Sequence, residues 1–242
     1  MNPEEYLSLS RVEDRHWFYQ AKREIARYWL DRCGPVKPES LLVDCGAGTG
    51  RFAEEMSSFC NVLAIDDHAE SLQIAQSKLG AERVRSGTCT NLPLPDQSAD
   101  FVTALDVLEH IGDDSIAVAE IARILKGNGV AVITVPALSQ LWSDWDVTLQ
   151  HFRRYNRKSL KATLSHPQLR LTHLNYINVF ALPAIWLART IQKVRQRALR
   201  FEDQIPPAPL NVLLRALMRI PACQTWLRFP AGVGLLAVVQ KV

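Results

Sequence analysis

From Leu41 onward, short apolar runs alternate with amphipathic stretches, and this alternation sets the expected architecture. Brief apolar runs separated by helical patterns are the signature of strand–helix–strand units and a parallel sheet. The pattern predicts strands over 41–45, 61–66, 82–86, 99–106 and 129–135, with helices near 50–59, 69–80 and 113–126. Ahead of them, residues 11–32 read as one amphipathic helix, because Trp17, Ala21, Ile25, Tyr28 and Trp29 recur near the helical period. Cys33-Gly34-Pro35 ends it. Two further strands are expected at 169–180 and 232–242, and the roughly 50 residues between them are too many for a plain loop. That stretch carries an arginine-rich helical pattern near 183–201, a break at Pro206-Pro207-Ala208-Pro209 and a second helix near 209–220.

Composition narrows the class without changing this outline. A chain of 242 residues, 48% hydrophobic and 22% charged, fits one α/β domain with an elaboration and excludes wholesale disorder, collagen or coiled coil. No apolar run approaches the ~20 residues of a membrane span. The run Val179 to Ala188 contains Pro183 and stops at Arg189. The acidic N-terminus (Glu4, Glu5, Glu13, Asp14) lacks a basic-then-apolar signal pattern, so a cytoplasmic location is expected. Five scattered cysteines with no C-x-x-C pair suggest neither a disulfide framework nor a zinc site. The net charge of +3 conceals a division: residues 1–150 hold 13 basic and 23 acidic side chains, and 151–242 hold 15 and 2. The C-terminal third should therefore seek an anionic partner or the acidic part of its own chain.

The strongest chemical signal is VDCGAGTGRF, residues 43–52. A strand runs into Gly46, Gly48 and Gly50 and a helix follows, which makes a turn whose backbone N–H groups can approach a ligand closely. A dinucleotide fingerprint spaces its glycines G-x-G-x-x-G, but here the spacing is G-x-G-x-G with Arg51 at the third fingerprint position. At the end of the next strand stands Asp66, where a carboxylate can accept both hydroxyls of a ribose.

In these residues the chain resembles the class I S-adenosylmethionine-dependent methyltransferases, of the type 11/12-like bacterial small-molecule group, from about Leu41 to Val135. The resemblance implies an α/β, Rossmann-like, doubly wound sheet of seven strands with the last antiparallel, preceded by N-terminal helices and carrying a helical insertion before the final strand. It implies one methyltransferase domain over 1–242, with a helical cap at 1–40, a cofactor-binding core at 41–180, the basic insertion at 181–231 and the final strand at 232–242. S-adenosylmethionine is the implied cofactor, with Asp44, Gly46, Ala47, Gly48, Gly50, Asp66, Asp67, Thr88, Leu105 and Asp106 as its site. Thr88 stands where the family often has an aspartate on the adenine.

The fourth strand leads into Asp106-Val107-Leu108-Glu109-His110, at the edge where ligands bind in open α/β sheets. His110 is a candidate proton acceptor, together with His151 and Tyr155. A second reading gives Asp106, Glu109 and His110 to a divalent ion, and a third has Glu109 and His110 only orienting the next helix. Beyond the fifth strand, Trp142, Arg153 and Arg154 are candidate substrate contacts, because stacking surface beside a cationic fork suits an anionic acceptor. Their competing role is packing and pairing with the acidic half. The tryptophan, aspartate and His-x-Arg-Arg-Tyr arrangement, with the early HWF, resembles a bacterial subgroup associated with cell-surface polysaccharide or lipid metabolism, which often has His where Trp145 stands.

The basic insertion mixes Ile185, Leu187, Ile191, Val194 and Leu199 with Arg189, Lys193, Arg195, Arg197 and Arg200. It fits a lid, a dimer contact, or a helix lying on an anionic membrane at its inner face. The expected activity is methyl transfer to an oxygen or nitrogen of a small acceptor, anionic or linked to a lipid or saccharide. A nucleic-acid methyltransferase and a non-catalytic S-adenosylmethionine-binding protein are the alternatives. The first lacks the Asn/Asp-Pro-Pro-Tyr/Phe type of motif after strand four. The second is disfavoured by the intact loop and Asp66.

Overall fold

The computed structural model describes residues 3–195 and 204–242, with side chains over 7–191 and 204–242. Seven strands form one sheet: β1 Leu41–Cys45, β2 Asn61–Asp66, β3 Val84–Ser86, β4 Ala99–Leu105, β5 Leu125–Pro136, β6 Leu169–Ile177 and β7 Gly234–Lys241. Their order is β3-β2-β1-β4-β5-β7-β6. The first five pair in parallel, and β7 runs antiparallel to both β5 and β6. Every strand expected from the apolar runs is present. Strand ends moved by a few residues where backbone chemistry intervenes: Ala81–Arg83 form a 3-10 turn ahead of β3, and Asn178 at φ 55° follows the end of β6.

The helices are α1 Pro3–Val12, α2 Trp17–Cys33, α3 Arg51–Met56, α4 Ala69–Leu79, α5 Asp114–Ile124, α6 Asp144–Thr148, α7 Arg157–Thr163, α8 Leu182–Arg195 and α9 Ala208–Ala222. Strand residues alternate between two cores. Val43, Cys45, Leu63 and Ile65 pack with Ala117 and Ile121 of α5 and Leu160 of α7. Leu42, Val62 and Ala64 pack on the opposite face with Ile25 and Trp29 of α2, Phe52 of α3, Ala75 of α4 and Met218 of α9.

The single helix expected over 11–32 is two. His16 caps α2, its Nδ1 accepting the Phe18 N–H at 3.2 Å. Buried Glu13 turns inward, and its backbone carbonyl accepts from Arg23 Nη1 at 2.9 Å. The cap and the Glu13–Arg23 contact interrupt the helix at the junction, which a helical period could not reveal. α8 and α9 occupy the basic insertion as expected, but Arg197, Leu199 and Arg200, and the side chains of Lys193, Val194 and Arg195, lie outside the described residues. α9 packs on α2: Trp29 Nε1 donates to the Ala222 carbonyl at 3.1 Å, and Arg219 Nε pairs with Glu24 at 3.2 Å. Part of the basic third thus faces the acidic part of its own chain. Among the described residues no helix is long and apolar enough to cross a membrane.

Candidate active site

The carboxyl ends of β1, β4 and β5 open into a cleft of about 730 Å³. One end is walled by Asp44 and the turn from Gly46 to Thr49, the other by Glu109, His110, Trp145 and His151. Gly46, Gly48 and Gly50 all have positive φ, the left-handed region open to glycine. A Cβ on Gly46 would lie 2.7 Å from a Val107 methyl, so a side chain there is excluded by space as well as by backbone. Gly50 serves a different end: its missing Cβ lets α4 approach, with Ala75 Cβ 2.8 Å from where it would stand, and Gly50 is not part of the cleft wall.

The turn is pinned from both sides. Asp66 Oδ2 accepts the Gly48 N–H at 2.8 Å, and Oδ1 accepts the His68 N–H at 3.0 Å and the Ser71 hydroxyl at 2.5 Å. From the α1–α2 junction, Glu13 accepts the Thr49 hydroxyl at 2.6 Å and pairs with Lys78 at 2.7 Å. Asp66, exposed Asp67 and exposed Thr88 stand at the ends of β2 and β3, outside the walls of the main cleft.

Asp44 is buried at the cleft floor, where burial pushes its carboxyl up to about 7 against the Thr103 hydroxyl that donates to it at 2.6 Å, with Asp66 adding to the rise. Any ammonium group brought against it favours the ionised form and must expel a proton at lower pH. If Asp44 meets the amino group of the cofactor, affinity for S-adenosylhomocysteine should climb from pH 5.5 to 7, by up to about one log unit per pH unit, and then level off. Calorimetry across that window checks this, with Asp44→Asn expected to flatten the profile.

β4 turns sharply at Asp106, whose φ of 58° is uncommon for a non-glycine residue and brings its side chain into the cleft wall. Burial raises the Asp106 carboxyl, but the ammonium of Lys22, closed upon it, and the Thr134 hydroxyl at 2.8 Å hold it below the usual range. Three residues on, Glu109 is fully buried, and among the described residues neither carboxylate oxygen has a hydrogen-bond partner. Burial, and then the Asp106 charge, push the pKa of its carboxyl well up. The His110 and His151 rings meet edge to face at 4.6 Å. Burial and the neighbouring imidazole lower His110 to about 4, so it is neutral at physiological pH. Asp146 orients the second ring, its Oδ1 lying 3.0 Å from His151 Nδ1 and accepting Arg154 Nε at 2.7 Å.

Three sequence assignments change. Tyr155 cannot take a proton from an acceptor in the cleft: it is 1% exposed, its hydroxyl donates to Asp114 at 2.6 Å, and burial with that carboxylate raises its pKa far above neutrality. Arg153 is spent on Asp114 at 3.0 Å and the Gly112 carbonyl at 2.6 Å, away from the cleft. Trp142 also lies outside the cleft wall, and Trp145 stands in it instead. Arg154, Leu105, Ala47, His110 and His151 do line the cleft. Lys22 and Glu13 escaped the sequence reading. Lys22 had a visible signal, since it sits one turn from Phe18 on the apolar face of α2, where a lone cation needs an anion to meet.

The sheet order and the glycine turn together define a Rossmann-like fold. Residues 43–133 match the family described as a methyltransferase domain, and this match supports a place in the class I S-adenosylmethionine-dependent methyltransferase family. It is 28% identical over 121 residues to a Mycobacterium tuberculosis protein described as a probable S-adenosylmethionine-dependent methyltransferase, covering 47% of this chain and 44% of that one. It is 35% identical over 99 residues to an uncharacterized methyltransferase of Bacillus subtilis, covering 38% and 39%. The chain thus spans less than half the length of these relatives. In fold it is similar to the geranyl diphosphate C-methyltransferase of Streptomyces coelicolor A3(2), solved with Mg²⁺, geranyl diphosphate and S-adenosyl-L-homocysteine, at a TM-score of 0.61 and 14% identity over 90% of this chain and 78% of that one.

Proposed function

We propose that the chain transfers the methyl group of S-adenosylmethionine to an oxygen or nitrogen of a small anionic acceptor borne on a lipid or a saccharide. The observation that carries this reading is the continuity of one cleft from the glycine turn to the paired imidazoles. When bound, the cofactor supplies a methyl group on a positively charged sulfur. The residues of the chain divide the remaining work. Gly46 to Thr49, Asp44 and Asp66 hold the cofactor, and His110 or His151 accepts the proton that the acceptor loses. Lys22 and Arg154, each held by its carboxylate, line the wall where the acceptor rests.

Ile185 and Ala188 of α8, with Gln204 to Pro207, roof this cleft, which supports a cover over the acceptor. Outward from that roof, Trp186 and Leu187 are each 56% exposed, and Val212 of α9 is 64% exposed. Such apolar surface among basic residues supports an acceptor carried at an anionic membrane. The test is to incubate the chain with methyl-labelled cofactor and bacterial lipid and aqueous fractions. Label should enter an organic-extractable acceptor and fall at least about tenfold in the His110→Ala, His151→Ala double variant. Label confined to water-soluble acceptors rejects the lipid; full activity in the double variant rejects the bases.

A further inference from the structure

We propose that Glu109, His110 and His151 form a binding site for one divalent transition-metal ion of the zinc type, on the acceptor side of the cleft. One ligand atom from each lies within 4.8 Å of the others. Metal–ligand bonds of about 2.0–2.2 Å hold ligand atoms roughly 3.3 Å apart, a closure within reach of small side-chain rotations. Two imidazoles and one carboxylate are the donor set of open, three-ligand metal sites, in which a fourth position faces the ligand space.

The strongest argument is electrostatic. Glu109 has no exposed surface, and among the described residues neither of its oxygens has a hydrogen-bond partner. The cations in the same wall are already committed, Lys22 to Asp106 and Arg154 to Asp146. Buried carboxylates normally find hydrogen bonds or a counter-ion, and a bound cation supplies the second, coordinating an oxygen that lacks the first.

The second argument lies behind the ligands. Metal-bound histidines almost always donate their other ring nitrogen to a carboxylate or a backbone carbonyl, which fixes the tautomer. Both histidines here have such a partner: Asp146 Oδ1 stands 3.0 Å from His151 Nδ1, and the Leu149 carbonyl accepts from His110. Each ring keeps one nitrogen lone pair for the ion. Asp146 is itself held by Arg154, and the Ser143 N–H donates to its other oxygen at 2.9 Å, so the support is rigid. The expected triad of Asp106, Glu109 and His110 is therefore revised, because Asp106 already has Lys22 and Thr134 and His151 takes its place. A second cluster, Asp66, Asp67 and His68, lacks this property, since both Asp66 oxygens already accept hydrogen bonds, from Gly48, His68 and Ser71.

Ion binding is independent of the methyl-transfer reading. Only its consequence rests on that reading: an ion here selects acceptors that offer it an oxygen, and the two imidazoles then serve as ligands instead of bases. The experiment titrates the full, chelator-stripped chain with zinc chloride by calorimetry, and with cobalt(II) as an absorbing probe, in the absence of cofactor and acceptor. One ion per chain is expected, with affinity weakened at least about tenfold in each of Glu109→Gln, His110→Ala and His151→Ala. Cobalt bands should be altered in the histidine variants and retained in Asp67→Ala. Circular dichroism confirms that each variant is folded, and three separate variants keep the test decisive if one is not. Absence of one-to-one binding, or binding that all three variants leave intact, overturns the proposal; a chain that binds the ion yet transfers no methyl group overturns only the proposed function.

Discussion

Replacing Asp146 by alanine should lower the melting temperature by about 6–20 °C, the largest single-residue effect on stability expected in this site. Asp146 is fully buried at the start of α6, and four donors converge on it: His151 Nδ1, Arg154 Nε, the Ser143 N–H and the Ser143 hydroxyl. Burial alone would raise its carboxyl, but the hydrogen bonds from His151 and Arg154 and the guanidinium charge win and hold it near about 2. Removing it strands the Arg154 guanidinium, whose side chain is 7% exposed, with only the Ala137 carbonyl at 3.1 Å. Breaking a buried pair by deleting one partner costs about 3–5 kcal/mol, because the surviving charge stays desolvated. Differential scanning calorimetry checks the size. Asp146→Asn, which retains an acceptor, should lose clearly less, and an equal loss in both would place the effect in packing instead of charge.

The second large effect is on cofactor affinity. Asp66→Ala should weaken S-adenosylhomocysteine binding by roughly ten- to a hundredfold, the worth of about 1.5–3 kcal/mol for a charge-assisted hydrogen bond. The carboxylate has already spent one oxygen on the Gly48 N–H and the other on His68 and Ser71. It therefore holds the glycine turn in shape besides offering its remaining lone pairs to a ribose. Both losses have the same sign, but they separate in Ser71→Ala, which removes one support of Asp66 and leaves the carboxylate in place. A small effect of Ser71→Ala beside a large one of Asp66→Ala assigns the energy to the ligand; unchanged affinity in Asp66→Ala rejects the role altogether.

The sheet was readable because parallel strands buried on both faces are near-continuous apolar runs, and 41–45 and 61–66 end in structure where those runs end. The short helices α6 and α7 were not readable, since five and seven residues are too few to display a period. The glycine turn could be found because local backbone demands select glycine locally. Tyr155 and Arg153 were misread for the converse reason: Tyr155 is spent on Asp114 and Arg153 on Asp114 and Gly112, all about forty residues away along the chain, and nothing local marks a side chain as already engaged. The same holds for the Lys22–Asp106 pair, which joins the first long helix to the end of the fourth strand.

The seam between α2 and α9 also governs how the chain is made. Asn211 accepts the Trp17 N–H at 2.9 Å and donates to the Arg15 carbonyl at 2.7 Å, across about 195 positions of sequence, and Trp29 reaches Ala222 across 193. During synthesis at about 5–20 residues per second, the N-terminal helices wait on the order of 10–40 s before their partner leaves the ribosome. For that interval Trp17, Phe18 and Trp29 have no α9 to cover them, and loop-closure entropy delays the docking further. The glycine turn is secured by Glu13, which belongs to the same N-terminal segment that waits for α9.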